Sequence, residues 1–191
     1  MITGLAPTGT RILDAALTVL GRSGLTRLSL EDVATEAEVS RQTVYRHFGS
    51  RDGLLSSLIV REEEAMLHVV AVAAEGVHDL QTAVEVAVAA ALYATAEDAL
   101  LQRVLATEPA ALLPFLTLGS GPVLAIVGPA IAEIIAARAP GIASDDLDFL
   151  SDLVGRVVVS YAISPRADYR DTALRLAVAV AAHAYAVGAT P

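Results

Sequence analysis

The chain contains no cysteine, no lysine, no asparagine and no tryptophan. The absence of cysteine excludes disulfides and thiolate metal sites and suits a reducing compartment such as the cytoplasm. The absence of lysine makes all 13 basic residues arginine. Aromatic residues amount to only 4% of the chain against 54% hydrophobic residues, much of that alanine and valine. Glycine and proline are scattered while alanine and leucine abound, a composition that favours helices. The amino terminus, Met-Ile-Thr-Gly-Leu-Ala-Pro, lacks the charged and apolar regions of a signal peptide. With 191 residues there is room for one medium domain or two small ones and for a sizeable core.

Charge is unevenly spread. Residues 1–60 hold six Arg and six acids, which cancel, whereas the remainder holds seven Arg and sixteen acids and carries the whole net charge of -9. Such asymmetry points to two jobs in one chain. The mean hydropathy of +0.57 raises the question of a membrane. Residues 109–132 form a run of 24 without a charge, long enough to span a bilayer. That run holds four Pro and three Gly, including a breaker at 118–122, and reads as two buried helical pieces joined by a turn. No membrane span is expected.

The periodicity predicts an all-α fold. A first helix runs from a cap at Thr8 or Thr10 to about Gly21, with Ile12, Leu13, Ala16, Leu17, Val19 and Leu20 at helical spacing. Gly24 follows where a left-handed residue is often needed. Ser29 and Asp32 form a capping-box pattern in which Asp32 answers the amide of Ser29, and Leu30, Val33, Ala34 and Ala37 give the second helix one inward face. Ser40 caps a third helix with Val44 and Phe48 as its buried stripe, and Gly49 stops it. Ser50 and Asp52 begin a fourth, longer helix through Leu54, Leu55, Leu58, Ile59, Met66 and Val69. Further helices are expected near 79–97, 99–107, 109–118, 122–139, 145–163 and 168–187, with breaks at Pro and Gly.

Residues 40–52 read Ser-Arg-Gln-Thr-Val-Tyr-Arg-His-Phe-Gly-Ser-Arg-Asp, a short polar helix after a tight turn at 38–40. This is the outline of a helix-turn-helix, whose second helix enters the major groove of DNA. Arg41 can bind guanine bidentately and Gln42 can do the same to adenine. Thr43, Tyr45 and His47 can donate to phosphates. Ser29 and Arg51 stand at helix starts, where free amides favour an anion. An outward polar face can also be plain solvation. Two capped short helices, the short turn, the aromatic-basic mix and the charge segregation together favour DNA.

These residues resemble the TetR family of bacterial regulators. The resemblance rests on Gly24-Leu-Thr, Ser29-Leu-Glu-Asp-Val-Ala, Val39-Ser, Thr43-Val-Tyr-Arg-His-Phe and Arg51-Asp-Gly-Leu-Leu, and it covers roughly residues 10–58. It implies a helix-turn-helix domain at 8–52 followed by a larger helical ligand-binding and dimerisation domain at 53–191. It further implies a cytoplasmic homodimer, a repressor that binds a near-palindromic double-stranded DNA operator and lets go when a small molecule enters the second domain. The family's contact positions map onto Arg41, Gln42 and Thr43 for base reading, with Tyr45, His47 and Arg51 on the DNA backbone. Two departures stand out. Glu38 occupies a turn position where the family commonly has Gly, and Arg51 replaces the usual Lys.

Beyond residue 76 motifs are sparse. Leu150, Leu153, Val154, Val157, Val158 and Tyr161 make an apolar stripe, and Ala177, Ala181, Ala184 and Gly188 make a row of small residues permitting close helix approach. From the residues alone these helices fit a core or a two-fold interface equally. The resemblance favours the interface, with Val154, Val158, Tyr161, Ala177, Ala181, Ala184 and Gly188 as its candidates. Met66, Tyr93, Phe115 and Tyr161 are candidate pocket residues, being large in an Ala/Val-rich background, and the low polar content suggests an apolar effector. Glu64 and His68 share a helix face as a metal pair would, but no third ligand stands at recognisable spacing, so neither metal nor cofactor is expected. No nucleophile elbow or phosphate loop occurs, and no enzymatic activity is expected. The alternatives are a lipid-binding or membrane-surface protein and a helical enzyme with a site assembled from scattered residues.

Overall fold

The computed structural model describes residues 7–117, 122–164 and 168–188. Among them every regular element is a helix, in the order α1 (Pro7–Ser23), α2 (Leu30–Glu36), α3 (Arg41–Phe48), α4 (Arg51–Ala74), α5 (Leu80–Glu97), α6 (Ala99–Thr107), α7 (Pro109–Thr117), α8 (Pro122–Ala136), α9 (Ser144–Ile163) and α10 (Tyr169–Ala186). The expected all-α architecture holds. No helix among the described residues is long and apolar enough to cross a membrane. The uncharged run at 109–132 contributes α7 and α8, and the break expected at 118–121 lies outside the described residues.

The chain divides into two compact units, residues 1–64 with 100–123, and residues 65–99 with 124–191. This differs from the expected boundary at 52/53. α6 and α7 belong with the amino-terminal helices for a physical reason. Val104 and Leu112 sit in one apolar core with Ile12, Leu13, Val19, Leu28, Val33, Val44, Leu54, Leu55 and Leu58. Arg103 also donates from Nη1 to the carbonyl of Gly21 at 2.8 Å and from Nη2 to that of Leu20 at 3.0 Å. These carbonyls lie at the end of α1, and that of Leu20 also accepts from the amide of Gly24 at 3.0 Å.

In the second unit α10 packs chiefly on α5, and α5 on α9. α10 buries Ala173, Ala177, Val180, Ala181 and Ala184, while α5 buries Leu80, Ala83, Val84, Ala87, Val88, Ala91 and Leu92. Small residues on both faces let the two backbones approach closely. Arg138 secures the end of α4 in the same way that Arg103 secures α1: Nε donates to the carbonyl of Val77 at 2.7 Å and Nη2 to that of Ala74 at 2.6 Å. Val69, one of the apolar residues through which the fourth helix was expected to run, is exposed.

Candidate DNA-binding surface and apolar cavity

The two short helices are built by their caps. Ser29 Oγ accepts from the amide of Asp32 at 3.1 Å, and its hydroxyl donates to Asp32 Oδ2 at 2.7 Å. The return bond expected at the Ser29 amide therefore goes to the hydroxyl instead. Asp is one methylene shorter than the Glu of a full capping box. Ser40 Oγ accepts from the amide of Thr43 at 3.1 Å and lies 2.9 Å from Thr43 Oγ1. Gly49 ends α3 at φ 72°, its amide donating to the carbonyl of Tyr45. Val44 is the buried anchor of α3 and packs into the shared core.

Its opposite face is open. Arg41, Gln42, Tyr45 and Arg46 are exposed, and Tyr45 shows 62% of its surface. None of these four side chains hydrogen-bonds to the described residues. His47 is half-buried, its ring 6.0 Å from that of Phe48. Thr43 is half-buried as well, and its hydroxyl is already engaged by Ser40, which limits it as a base reader.

Arg51, expected on the DNA backbone, is engaged within the chain: Nε donates to the carbonyl of Leu28 at 2.9 Å and Nη2 to that of Leu25, while Nη1 lies 3.5 Å from Asp52 Oδ1. Its fork braces the start of α4 against the segment between α1 and α2. The guanidinium geometry that suits a phosphate suits two converging carbonyls equally well.

Glu38 has φ 52°, the one positive φ at a non-glycine position among the described residues. A left-handed backbone costs an L-residue with a Cβ roughly 1–2 kcal/mol, part of which glycine gives back through its more flexible unfolded chain. Glu38→Gly should therefore stabilise the protein by about 0.5–1 kcal/mol, read as a higher Tm. It should also strengthen DNA binding by removing an exposed negative charge beside α3. A lower Tm would mean that the Glu38 side chain contributes more than the strain costs.

The second unit contains a small, open apolar cavity between α4, α5, α8 and α9. Met66, Leu67 and Val70 line it from α4, Val84, Ala87, Val88 and Ala91 from α5, Val127, Ile131 and Ile134 from α8, and Val154 and Val158 from α9. Every lining side chain is apolar. Of the candidate pocket residues, Met66 lines the cavity. Tyr93 does not, pointing outward with 62% of its surface exposed. Tyr161 is half-buried and outside the lining, and the side chain of Phe115 lies outside the described residues. Among the described residues no group of three or more His, Asp or Glu could hold a metal ion.

Sequence comparison fits this arrangement. Residues 12–58 match the bacterial regulatory proteins of the tetR family, and residues 79–182 match the carboxy-terminal domain of bacterial tetracyclin repressors. The chain belongs to the TetR family. Its matched segments are the helix-turn-helix region and the carboxy-terminal domain of that family of regulatory proteins. Among its relatives, an uncharacterized HTH-type transcriptional regulator of Mycobacterium bovis, Mb2274c, is 29% identical over 88% of this chain and 86% of its own length. The HTH-type transcriptional regulator UidR of Escherichia coli strain K12 is 30% identical over 56% of this chain, and the match spans 54%, about half, of UidR. In fold the chain is similar to the TetR-family repressor AlkX from Dietzia sp. strain DQ12-45-1b, implicated in biodegradation of n-alkanes, with TM-score 0.77 and 21% identity covering 95% of this chain and 97% of the other. The TetR-family repressor QsdR of R. erythropolis gives TM-score 0.69 and 18% identity, covering 96% of each chain.

Five of the seven candidate interface residues of this TetR-family chain are buried within the single chain. Val154, Val158, Ala177, Ala181 and Ala184 are between 0 and 6% exposed, packed inside their own unit. The row of small residues on α10 does permit a close approach, but to α5 of the same chain. Tyr161 is half-buried and Gly188 exposed. The apolar residues that α9 and α10 turn to solvent are Phe149, Leu153, Leu174, Val178 and Tyr185.

Three polar residues went unnoticed in the sequence. Arg103 caps α1. Glu108 accepts from the amides of Leu25 at 3.0 Å and Thr26 at 2.6 Å. Glu63 keeps Oε2 buried without a hydrogen-bond partner, alone in this among the described residues. Burial pushes the Glu63 carboxyl up to about 7. The Thr26 side chain, followed by the Thr26 and Leu25 amides, holds that of Glu108 below its usual range.

Proposed function

We propose that the protein is a cytoplasmic repressor. It binds a near-palindromic operator as a homodimer and leaves it when a small, predominantly apolar molecule fills the cavity between α4, α5, α8 and α9. The observation that carries the reading is the bare face of α3, where Arg41, Gln42 and Tyr45 are exposed with no internal side-chain partner. Arg41 and Gln42 are suited to base edges, while Tyr45, His47 and the capped start of α2 at Ser29 are suited to phosphates. In a dimer each α3 enters one major groove, the half-sites lying about 34–36 Å apart for one turn of DNA. The all-apolar lining of the cavity favours an effector with few hydrogen-bonding groups.

Homodimer formation is supported by the exposed apolar faces of α9 and α10, at Phe149, Leu153, Leu174 and Val178. Coupling has a covalent route. α5, which lines the cavity, continues into α6 after the single residue Asp98, and α6 caps α1 through Arg103. An effector shifts operator affinity only by its differential affinity for the two states, typically about 1–3 kcal/mol.

Selection of bound fragments from genomic DNA at near-physiological salt tests the reading. Wild type should enrich a shared palindrome, and the double variant Gln42→Ala, Tyr45→Ala should not. In titrations on that palindrome, Gln42→Ala alone should lose about 1–3 kcal/mol of discrimination at one base pair. Equal enrichment by wild type and double variant would remove α3 as the reader.

A further inference from the structure

The carboxylate of Glu108 sits in a cradle of main chain. Oε1 and Oε2 accept from the successive amides of Leu25 and Thr26, and the preceding residue is Gly24 at φ +84°. A Cβ at Gly24 would lie 2.3 Å from Glu108 Oε1. The absence of a side chain there therefore serves the carboxylate as well as the backbone turn. The bond to Thr26 keeps Glu108 ionised, so both contacts are charge-assisted.

The peptide group between Leu25 and Thr26 is gripped from both ends: its N–H, that of Thr26, donates to Glu108 Oε2, and its carbonyl, that of Leu25, accepts from Arg51 Nη2. Arg51 is the first residue of α4 and follows the end of α3 after only Gly49 and Ser50. Its Nε holds the carbonyl of Leu28, next to the Ser29 cap of α2. An unbroken polar chain thus runs from the start of α7 through one residue of main chain to the junction of α3 and α4. Arg103, on the neighbouring helix α6, grips Leu20 and Gly21 instead and makes no hydrogen bond within this chain, although its positive charge also favours the ionised Glu108.

We infer that Glu108 is a positioning residue for DNA binding: through the Leu25 main chain and Arg51 it sets where α3 stands relative to the start of α2. The inference rests on α3 being the DNA reader, but it makes a claim about a residue 60 positions beyond the end of α3 at Phe48.

The test compares Glu108→Ala, Glu108→Gln, Arg103→Ala and the double variant Glu108→Ala, Arg51→Ala in the full chain. Three quantities are read: Tm, hydrogen exchange of peptides covering residues 41–58, and affinity for the palindrome that wild type selects. Glu108→Ala should speed exchange in that region and weaken the palindrome by about tenfold or more, the worth of a lost charge-assisted pair. Glu108→Gln keeps one acceptor oxygen and should recover part of both. Arg103→Ala should lower Tm by a comparable amount while leaving exchange at 41–58 and affinity close to wild type. The double variant should fall short of the summed single effects, because both residues act through one stretch of main chain. If exchange and affinity followed Tm alike in Glu108→Ala and Arg103→Ala, Glu108 would be a stabilising cap and nothing more. Hydrogen exchange needs no DNA. A wild-type chain that selected no palindrome would sink the regulator reading while the exchange data still decided the role of Glu108.

Discussion

Glu63→Gln should flatten the pH dependence of stability, and the difference from wild type should be largest under mildly alkaline conditions. The carboxyl of Glu63 titrates near 7 in the folded chain against an ordinary 4.5, because burial disfavours its charged form. Between those values the folded state holds a proton that the unfolded state has released. Stability from this group therefore falls as pH rises through the window, the reverse of the usual carboxylate behaviour. At about 1.4 kcal/mol per pH unit the full gap sets an upper limit of roughly 3 kcal/mol. Glu63 as a whole residue is only half-buried, so a loss of about 1–3 kcal/mol is expected between roughly pH 5 and pH 8. The glutamine variant carries no ionisable group at this position and should show no such slope. Urea titrations of both chains across that range decide it. Parallel pH profiles would mean that water or a counter-charge reaches the buried Oε2.

The helices themselves were legible because each signal is local. Ser40 caps α3 and Gly49 ends it at positive φ, and the expected break before Pro109 separates α6 from α7. The open face of α3 was legible for the same reason, since one buried residue, Val44, fixes which side faces out. The faces of α9 and α10 were not. α10 carries apolar residues all round, with Ala177, Ala181 and Ala184 inward and Leu174, Val178 and Tyr185 outward. No period then tells a core stripe from an interface stripe. Charged residues bound to the main chain were equally hidden. Arg51 reaches carbonyls 23 and 26 residues away and Glu108 reaches amides 82 and 83 residues away. Backbone groups are the same at every position, so the sequence carries no trace of such pairs. The grouping of α6 and α7 with the first unit was hidden for that reason too, because they join it through these contacts and a few apolar side chains.

Charge placed on the outward faces, Leu153→Glu with Val178→Glu, should turn a dimer into a monomer and remove tight operator binding. Both positions are exposed in the single chain, so the variant's fold is left largely intact. In a dimer packed on these faces, the added carboxylates of both copies would be desolvated without partners, each costing several kcal/mol. Two half-sites bound by one dimer gain from effective concentration, and losing that link lowers affinity by about two orders of magnitude or more. Sedimentation should show the monomer mass, and anisotropy on the selected palindrome should show the loss. Val154→Ala is the informative contrast. It removes two methyl groups from the packed interior and should cost about 1–3 kcal/mol of stability, read as a lower Tm, while the chain remains a dimer. If Leu153→Glu, Val178→Glu stayed dimeric, the outward faces of α9 and α10 would not be the interface. If Val154→Ala dissociated the dimer without lowering Tm, the buried stripe would regain the interface role that its burial argues against.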